Sequence, residues 1–355
     1  MNAPVASTYQ VSLADLSDPR VAARIDGFVK EQRASLFHRP AWLLAVQEGT
    51  GQRAGGLVCE QLGVIAGWLP LTEVRSSLFG RALVSSGFGV GGGLCGVSEG
   101  ATGALIGAAQ RYARAHGFAS LELRGGSLPM GEGWRRWNDK HCGFERALAQ
   151  TDEAELLAIP RKARAEVRKG MEATLPIRIG KRPEDLRAHY AVFSQSVHNL
   201  GTPVFPAKLF RAMLAAFPEE SDILTVFKDG TPVASVLSFY HQGAVMPFWG
   251  GGTRAARSAH ASELMYYELM LDARKRGMTR FDFGRSKTGS GPYRFKKNWG
   301  FTPQPLAYAE WTAPGGVPRN VDPTSEAYSR KIELWKKLPL PIANAIGPMI
   351  ARGLA

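Results

Sequence analysis

The sequence predicts an α/β chain built of two similar domains in tandem, and three observations carry that reading. A helix end, a glycine stop and a strand with one acidic residue between two apolar ones occur twice, as ARAHGFASLEL starting at Ala113 and as ARKRGMTRFDF starting at Ala273, a constant offset of 160 residues (273 − 113). A glycine cluster precedes each helix, at residues 87–96 and at Gly250, Gly251 and Gly252. A length of 355 residues with 45% hydrophobic and 21% charged side chains suits two cores of ordinary size.

Along the chain, residues 19–32 carry helical spacing, and Pro40 makes residues 37–44 a turn that feeds a helix. Residues 63–71 and 82–86 read as strands around a turn, and a helix over residues 100–116 leads into a strand at 119–123. The pattern changes over residues 151–157, and Pro160 opens a basic helix that begins the second unit. Helices at 186–200 and 207–217 follow, then strands at 223–228 and 232–241 split by the Asp229-Gly230 turn. In the next helix Ser262 is the expected N-cap and Glu263 sits in the first turn. Leu264, Tyr267 and Leu271 make the apolar stripe, and Arg274, Lys275, Arg276 and Gly277 close the helix. Phe281 and Phe283 then face one side of a strand and Asp282 the other. Beyond Trp311 the chain turns Pro-rich and leaves the repeat.

The net charge of +13, from 44 Lys+Arg against 31 Asp+Glu, calls for an anionic partner: a phosphorylated substrate, nucleic acid or anionic lipid. Cys59, Cys95 and Cys142 have an odd count and no metal-ligand spacing, so a reducing compartment and no metal are expected. Residues 1–10 lack a basic start and an apolar run, and no stretch is long and apolar enough to span a bilayer. A cytoplasmic protein without a secretory signal is expected, with the inner face of the plasma membrane as a second station. No histidine belongs to a nucleophile motif or to H-E-x-x-H spacing, and His198, His241 and His260 read as core or loop residues. The cations are dispersed and no RNA or DNA module is present, which leaves a nucleic-acid binder thinly supported.

A helix N-terminus beside a Gly-rich strand end offers backbone N–H groups to an anion, the competing reading being a tight turn or bulge. The first cluster matches G-x-G-x-x-G from Gly87 and again from Gly91. Helical spacing starts only after residues 94–100, however, and Glu122 sits inside its strand, so nicotinamide or flavin binding is not expected.

The strand, turn, helix, strand order resembles the acyl-CoA N-acyltransferase (GNAT) fold, whose phosphate loop reads Q/R-x-x-G-x-G/A. Arg257-Ser258-Ala259-His260-Ala261-Ser262 stands at the matching place, where His260 and Ser262 crowd an approaching pyrophosphate. Residues 283–301 then put Arg285, Lys287, Arg294, Lys296 and Lys297 on a flexible Gly/Ser segment tethered by Phe295, Trp299 and Phe301, suited to clamping phosphate or an oxyanion. The run Phe295-Lys296-Lys297-Asn298-Trp299-Gly300 resembles the F-K-x-x-F/W-G element of the FemAB family of aminoacyl and acyl transferases. Residues 37–44, 69–71, 159–169, 200–206 and 281–287 extend the likeness over nearly the whole chain. They are most similar to the FemAB-related branch associated with bacterial exosortase and PEP-CTERM exopolysaccharide systems.

The resemblance implies two tandem GNAT-like domains at 1–150 and 151–313, each a mixed, mostly antiparallel sheet with flanking helices, and a Pro-rich amphipathic tail at 314–355. It places the active site in the second domain. It implies an amide-forming acyl or aminoacyl transferase acting on a cell-envelope glycan or its nucleotide- or lipid-linked precursor, for peptidoglycan or exopolysaccharide. No cofactor is tightly bound, and the donor is acyl-CoA or aminoacyl-tRNA. Carried over residue by residue, Lys296 stabilises the oxyanion or acceptor phosphate, Tyr293 supplies or relays a proton and Asp282 accepts one. Arg285, Ser286, Lys287 and Lys297 position phosphates. Read from the residues themselves, Trp249, Gly250 and Gly251 line the cleft, with core packing the competing reading for Trp249, and Arg161 and Arg164 face the anionic glycan precursor or form a solvated face. Lys296→Ala is expected to abolish turnover while leaving the fold intact. The long helical arm with which family members grip transfer RNA has no counterpart here. A noncatalytic glycan or phosphate binder on a decayed transferase fold is the alternative. In the tail, Trp335, Lys336, Lys337, Ile342, Ile346, Met349 and Arg352 mix cations with apolar groups, and Pro339, Pro341 and Pro348 forbid one long helix. The tail is expected at a membrane interface or packed on the first domain.

Overall fold

A computed structural model describes residues 9–317 and 326–354. Of these, residues 9–138, 307–317 and 352–354 form one compact unit, and 139–306 with 326–351 form a second.

The first unit begins with β1 (Gln10–Leu13), α1 (Pro19–Glu31), a tight helical turn at Leu36–His38, α2 (Pro40–Thr50), β2 (Arg53–Gln61) and β3 (Val64–Ser76). It continues with β4 (Gly80–Val84), β5 (Cys95–Gly96), α3 (Glu99–Ala115), β6 (Ser120–Arg124) and β7 (Trp134–Trp137). The second unit opens with β8 (His141–Ala147), α4 (Asp152–Ala158), α5 (Arg161–Glu172), β9 (Ile177–Gly180), α6 (Pro183–Asn199) and α7 (Ala207–Ala216). Then come β10 (Ser221–Lys228), β11 (Thr231–His241), β12 (Ala244–Gly252), α8 (Arg254–Ser258), α9 (Ala261–Lys275) and β13 (Arg280–Asp282). It ends with β14 (Ser286–Lys287), α10 (Gly291–Asn298) and β15 (Pro303–Pro305). β16 (Tyr308–Thr312) returns to the first unit, whereas α11 (Glu326–Lys337) and α12 (Leu340–Ala351) belong to the second.

The repeat survives in three dimensions. α3 and α9 end 160 residues apart (275 − 115), as β6 and β13 begin (280 − 120). Each helix stops on a glycine in the left-handed region, Gly117 at φ 66° and Gly277 at φ 80°, which any other residue would adopt under strain. Each following strand pairs in parallel with the strand before the helix, β4 with β6 and β12 with β13, while the other strand pairs are antiparallel. The first sheet runs β1-β2-β3-β4-β6-β16-β7 with β5 on β3, and the second β14-β8-β13-β12-β11-β10-β9 with β15 on β8. Ala101, Leu105, Ala109 and Ala113, one face of α3, pack with Leu71, Leu83, Leu121 and Trp311 in the first core. Leu264, Met265, Leu269 and Phe281 lie at the centre of the second.

Two strands cross the domain edges expected from sequence. β8, expected to close the first domain, joins β13, β14 and β15 in the second sheet, and β16, expected in the second domain, lies between β6 and β7. The reason is packing: Phe144 of β8 fills the second core and Trp311 of β16 the first. A buried staple fixes β8, because Arg146 donates to the wholly buried Glu155 of α4, which also accepts the Ala149 N–H at 2.6 Å. The tail differs too. Its two helices, α11 and α12, lie on α6, where His198 Nε2 donates to the Trp335 carbonyl at 3.1 Å and Asn344 Nδ2 to Ser194 Oγ at 3.2 Å, whereas residues 352–354 pack in the first unit as expected, the Arg352 carbonyl accepting from Gln52 Nε2 at 3.1 Å. Among the described residues no helix is long and apolar enough to cross a membrane.

Candidate functional site

The second unit opens where two parallel strands separate. β12 follows β11 along its length, with Phe248 as an extra residue between the pairs Leu237–Trp249 and Ser238–Pro247. On its other side β12 pairs with β13 only at Ala244–Arg280 and Val245–Phe281, after which the strands part. The rest of β12, to Gly252, therefore presents an edge beside the exit of β13 at Asp282. The glycines on this edge serve close packing. A Cβ on Gly251 would meet Ser196 Oγ of α6 at 2.4 Å, one on Gly252 Ser262 Oγ at 2.5 Å, and one on Gly250 Tyr266 Oη of α9 at 3.2 Å. Alternation turns Trp249 and Gly251 to the α6 side and Gly250 and Gly252 to the α9 side. Of the two readings of Trp249 the structure bears out core packing over a place in the cleft: it is buried among Phe205, Phe210, Phe239 and Phe248.

The start of α9 is covered. Where a phosphate loop was matched, the chain forms the short helix α8, and His260 takes φ 50° just before α9. Its Nδ1 lies 2.8 Å from Glu166 Oε2 of α5, and a Cβ on Gly170 would stand 2.8 Å from the His260 carbonyl oxygen. Lys169, donating to Glu166, holds that carboxyl below its usual range, so a negative side chain stands next to the helix N-terminus. α5 packs through Ala163, Val167 and Gly170, with Arg161 exposed and Arg164 donating to the Leu157 carbonyl at 3.2 Å.

The segment expected to be a flexible loop holds a short strand, β14, and the helix α10. Ser290 caps α10 by accepting from the Tyr293 N–H at 3.3 Å, and Pro292 sits in its first turn. The helix turns Lys296 inward, to 8% exposure, where Nζ donates to the carbonyls of Gly284 at 3.2 Å and Arg285 at 3.1 Å. The rings of Phe144 and Phe283 lie 5.4 and 5.5 Å from Nζ. Burial pushes the Lys296 ammonium down to about 8 against the attraction of Asp282, and burial pushes the Asp282 carboxyl up against the Gly284 N–H it accepts at 2.8 Å. Lys296 is thus an anchor of the loop after β13. Lys296→Ala would strand two carbonyls, so a cost in stability is expected beside the loss of turnover.

Asp282, Arg285, Ser286 and Lys296 come together here, with Lys287 next along β14. The Ser286 hydroxyl is buried without a partner among the described residues. Tyr293 sits half-buried with its ring edge-on to Phe144, and the exposed Lys297 lies over the Tyr293 ring at 5.9 Å. No group of three or more His, Cys, Asp or Glu side chains among the described residues could hold a metal ion.

Sequence reasoning missed Tyr266. Its ring packs edge-on to Phe283 with centroids 4.7 Å apart and touches Phe295 and Trp299, while its hydroxyl would stand 3.2 Å from a Cβ on Gly250 of β12. That hydroxyl has no hydrogen-bond partner among the described residues, and burial, with Glu263 adding to it, pushes the phenol up to about 12. The available signal was helical spacing, which puts Ser262 and Tyr266 on the face of α9 towards the glycine run.

The first unit holds a cavity of about 370 Å³ lined by Leu13, Leu16, Gly55, Glu73, Leu83 and Tyr112 among others. Burial raises the Glu73 carboxyl, but Tyr112 Oη at 2.5 Å and Arg75 at 2.9 Å outweigh it and hold the group below its usual range.

Residues 160–297 match the Acetyltransferase (GNAT) domain family, a span inside the second unit that contains every residue singled out from sequence. No curated protein matches the chain. Among solved structures, FemX is similar at 14% identity and TM-score 0.62, over 82% of this chain and 96% of that one. A tandem GNAT protein from the clavulanic acid biosynthesis pathway matches at 13% identity and TM-score 0.57, over 88% and 100%. The C-terminal domain of a putative lysylphosphatidylglycerol synthetase from Agrobacterium fabrum matches at 14% identity and TM-score 0.55, over 83% and 92%. The fold is a tandem GNAT fold of two mixed, mostly antiparallel sheets with flanking helices.

Proposed function

We propose that the chain is an acyltransferase that forms an amide at the opening between β12 and β13, and that its donor is an aminoacyl ester. The GNAT domain match over residues 160–297 supports the acyltransferase, and the carrying observation is the parting of β12 from β13 beside Tyr266 and the Lys296 loop. In this reading the acceptor amine attacks the acyl carbonyl carbon, a C–N bond forms, the bond to the leaving oxygen breaks, and the amine proton leaves with that oxygen. Tyr266 Oη is the hydrogen-bond donor for the carbonyl oxygen as charge gathers on it, and its raised phenol keeps the proton needed to do so. Lys296 orders the loop that carries Arg285, Ser286 and Lys287, whose cations would hold the phosphates of an acceptor such as a nucleotide- or lipid-linked envelope glycan precursor. Tyr293 and Lys297, on the flank of α10, complete that acceptor side, with Gly250 and Gly251 at the open strand.

The covered start of α9 favours the ester over coenzyme A, because His260, Gly170 and the Glu166 carboxylate occupy the place of a pyrophosphate. FemX and the lysylphosphatidylglycerol synthetase domain share the fold at about one residue in seven, which supports the architecture alone. The test offers alanyl-tRNA and acetyl-CoA in turn as donors, with hydroxylamine as a small acceptor, and measures the hydroxamate formed above a protein-free blank, because hydroxylamine cleaves esters and thioesters by itself. Product from alanyl-tRNA and none from acetyl-CoA is expected. Product from acetyl-CoA alone reverses the donor assignment, and no product from either leaves the noncatalytic binder.

A further inference from the structure

α12 buries its small side chains and displays its large ones. Ala343, Gly347 and Ala351, four residues apart, face the protein, and a Cβ on Gly347 would stand 3.2 Å from the Val204 backbone nitrogen. Ile342, Ile346 and Met349, at i, i+4 and i+7, make the outer stripe at 50%, 39% and 69% exposure. A helix on a globular surface ordinarily does the reverse, turning its large apolar residues to the core. Leu334 on α11 adds a fourth exposed apolar side chain at 66%.

Along the chain around the stripe cations prevail. From Leu334 to Leu354 there is no Asp or Glu, whereas Lys336, Lys337 and Arg352 supply cations. Glu333, just before this stretch, pairs with Lys336 at 2.9 Å, and Lys337 beside it is exposed. Pairing two copies through this face would bring like charges together, but a surface of anionic headgroups complements them. At 12 residues α12 is about 18 Å long by the α-helical rise, too short to cross a hydrocarbon layer of about 30 Å. Its apolar stripe beside cations is of the kind that lies in the plane of the interface.

We propose that α12 seats the protein on an anionic lipid bilayer, with Ile342, Ile346 and Met349 entering the acyl boundary and Lys336 and Lys337 meeting headgroup phosphates. This surface is independent of the transferase reading, and its test needs no substrate. The full chain is mixed with vesicles of phosphatidylglycerol and phosphatidylethanolamine, or of phosphatidylcholine alone, and followed by flotation. Wild type is expected to float with the anionic vesicles, less so at high salt, and to stay behind with phosphatidylcholine.

The triple change Ile342→Ser, Ile346→Ser, Met349→Ser should lower the partition at least tenfold without moving the melting temperature, since all three side chains face outward. Lys336→Glu with Lys337→Glu should remove the preference for anionic lipid. Two results overturn the proposal: wild type that fails to float, or a triple variant that floats as well as wild type. Sedimentation velocity covers the competing occupant, because a wild-type dimer that the triple variant abolishes, with no flotation, assigns the stripe to a second copy instead.

Discussion

Both units place a glycine-rich run between the strand pair and the central helix, as a loop after β4 in the first and as the last residues of β12 in the second, and treat it in opposite ways. In the first unit the turn is lashed down by its carbonyls. Gly87 accepts from Trp42 Nε1 at 3.1 Å, Gly89 from Arg124 Nη1 at 3.0 Å, Val90 from Tyr308 Oη at 2.8 Å and Gly93 from His38 Nε2 at 3.0 Å. β4 and β6 are also stitched beyond their ends, by the Ser85 N–H to the Glu122 carbonyl and the Arg124 N–H to Ser85 Oγ, both at 2.8 Å. In the second unit β12 and β13 part after two residue pairs, and the Tyr266 hydroxyl lies beside Gly250 on the α9 side of β12. One repeated layout thus yields a closed sheet where side chains bridge the strands and an opening where they do not. The glycines themselves discriminate nothing, since both clusters exist to let neighbours approach.

Breaking the open region should cost the most. Lys296→Ala removes the loop anchor, and hydroxamate formation should fall by about a thousandfold, with a lowered melting temperature. Lys296→Arg, which stays charged, should also lose the decline in turnover that wild type is expected to show as pH rises through about 8. Tyr266→Phe should reduce kcat by about 100-fold while KM and melting temperature stay put, the scale for one lost oxyanion donor. Unchanged kcat in that variant, with wild type active, removes Tyr266 from the mechanism and leaves the transferase standing.

On the closed side the effect is on stability. A Cβ on Gly93 would lie 1.9 Å from the Gly125 carbonyl oxygen, so Gly93→Ala should destabilise by about 3 kcal/mol in urea unfolding, the upper range for overpacking. Gly250→Ala, whose nearest contacts are 3.0 and 3.2 Å, should unfold near wild type yet lower kcat by nudging Tyr266. A smaller effect separates the units by pH. His189 is wholly buried on α6, its Nδ1 paired with Ser235 Oγ at 3.0 Å, and burial pushes its imidazole down to about 3. The unfolded chain takes up that proton near pH 6.5 and the folded unit does not until about 3, so stability is complete above 6.5 and falls as the pH drops below it. The loss by pH 5 should be about 2 kcal/mol, at 1.36 kcal/mol per unit. His189→Phe should flatten the dependence, and a second unit whose urea midpoint is equally acid-sensitive in both proteins would contradict this account.

By itself the sequence determined the elements and the repeat. Hydrophobic period, the Asp229-Gly230 turn, Pro40 and Pro160 at helix starts, and Gly117 and Gly277 at helix stops are local signals, and the helices and strands they announce formed within a few residues. It also located the stretch around Lys296 and Asp282, because a dense run of cations beside a strand end is visible without coordinates. Only the tertiary structure decided that β8 and β16 trade units, since a strand's hydrogen bonds go to partners distant in the chain and its own residues do not name them. Only burial decided that Trp249 is core, that Lys296 faces carbonyls and that Tyr266 lies beside Gly250, because each depends on which neighbours close over the side chain. Local chemistry writes the elements into the sequence; the accessibility of a group is a property of everything packed around it.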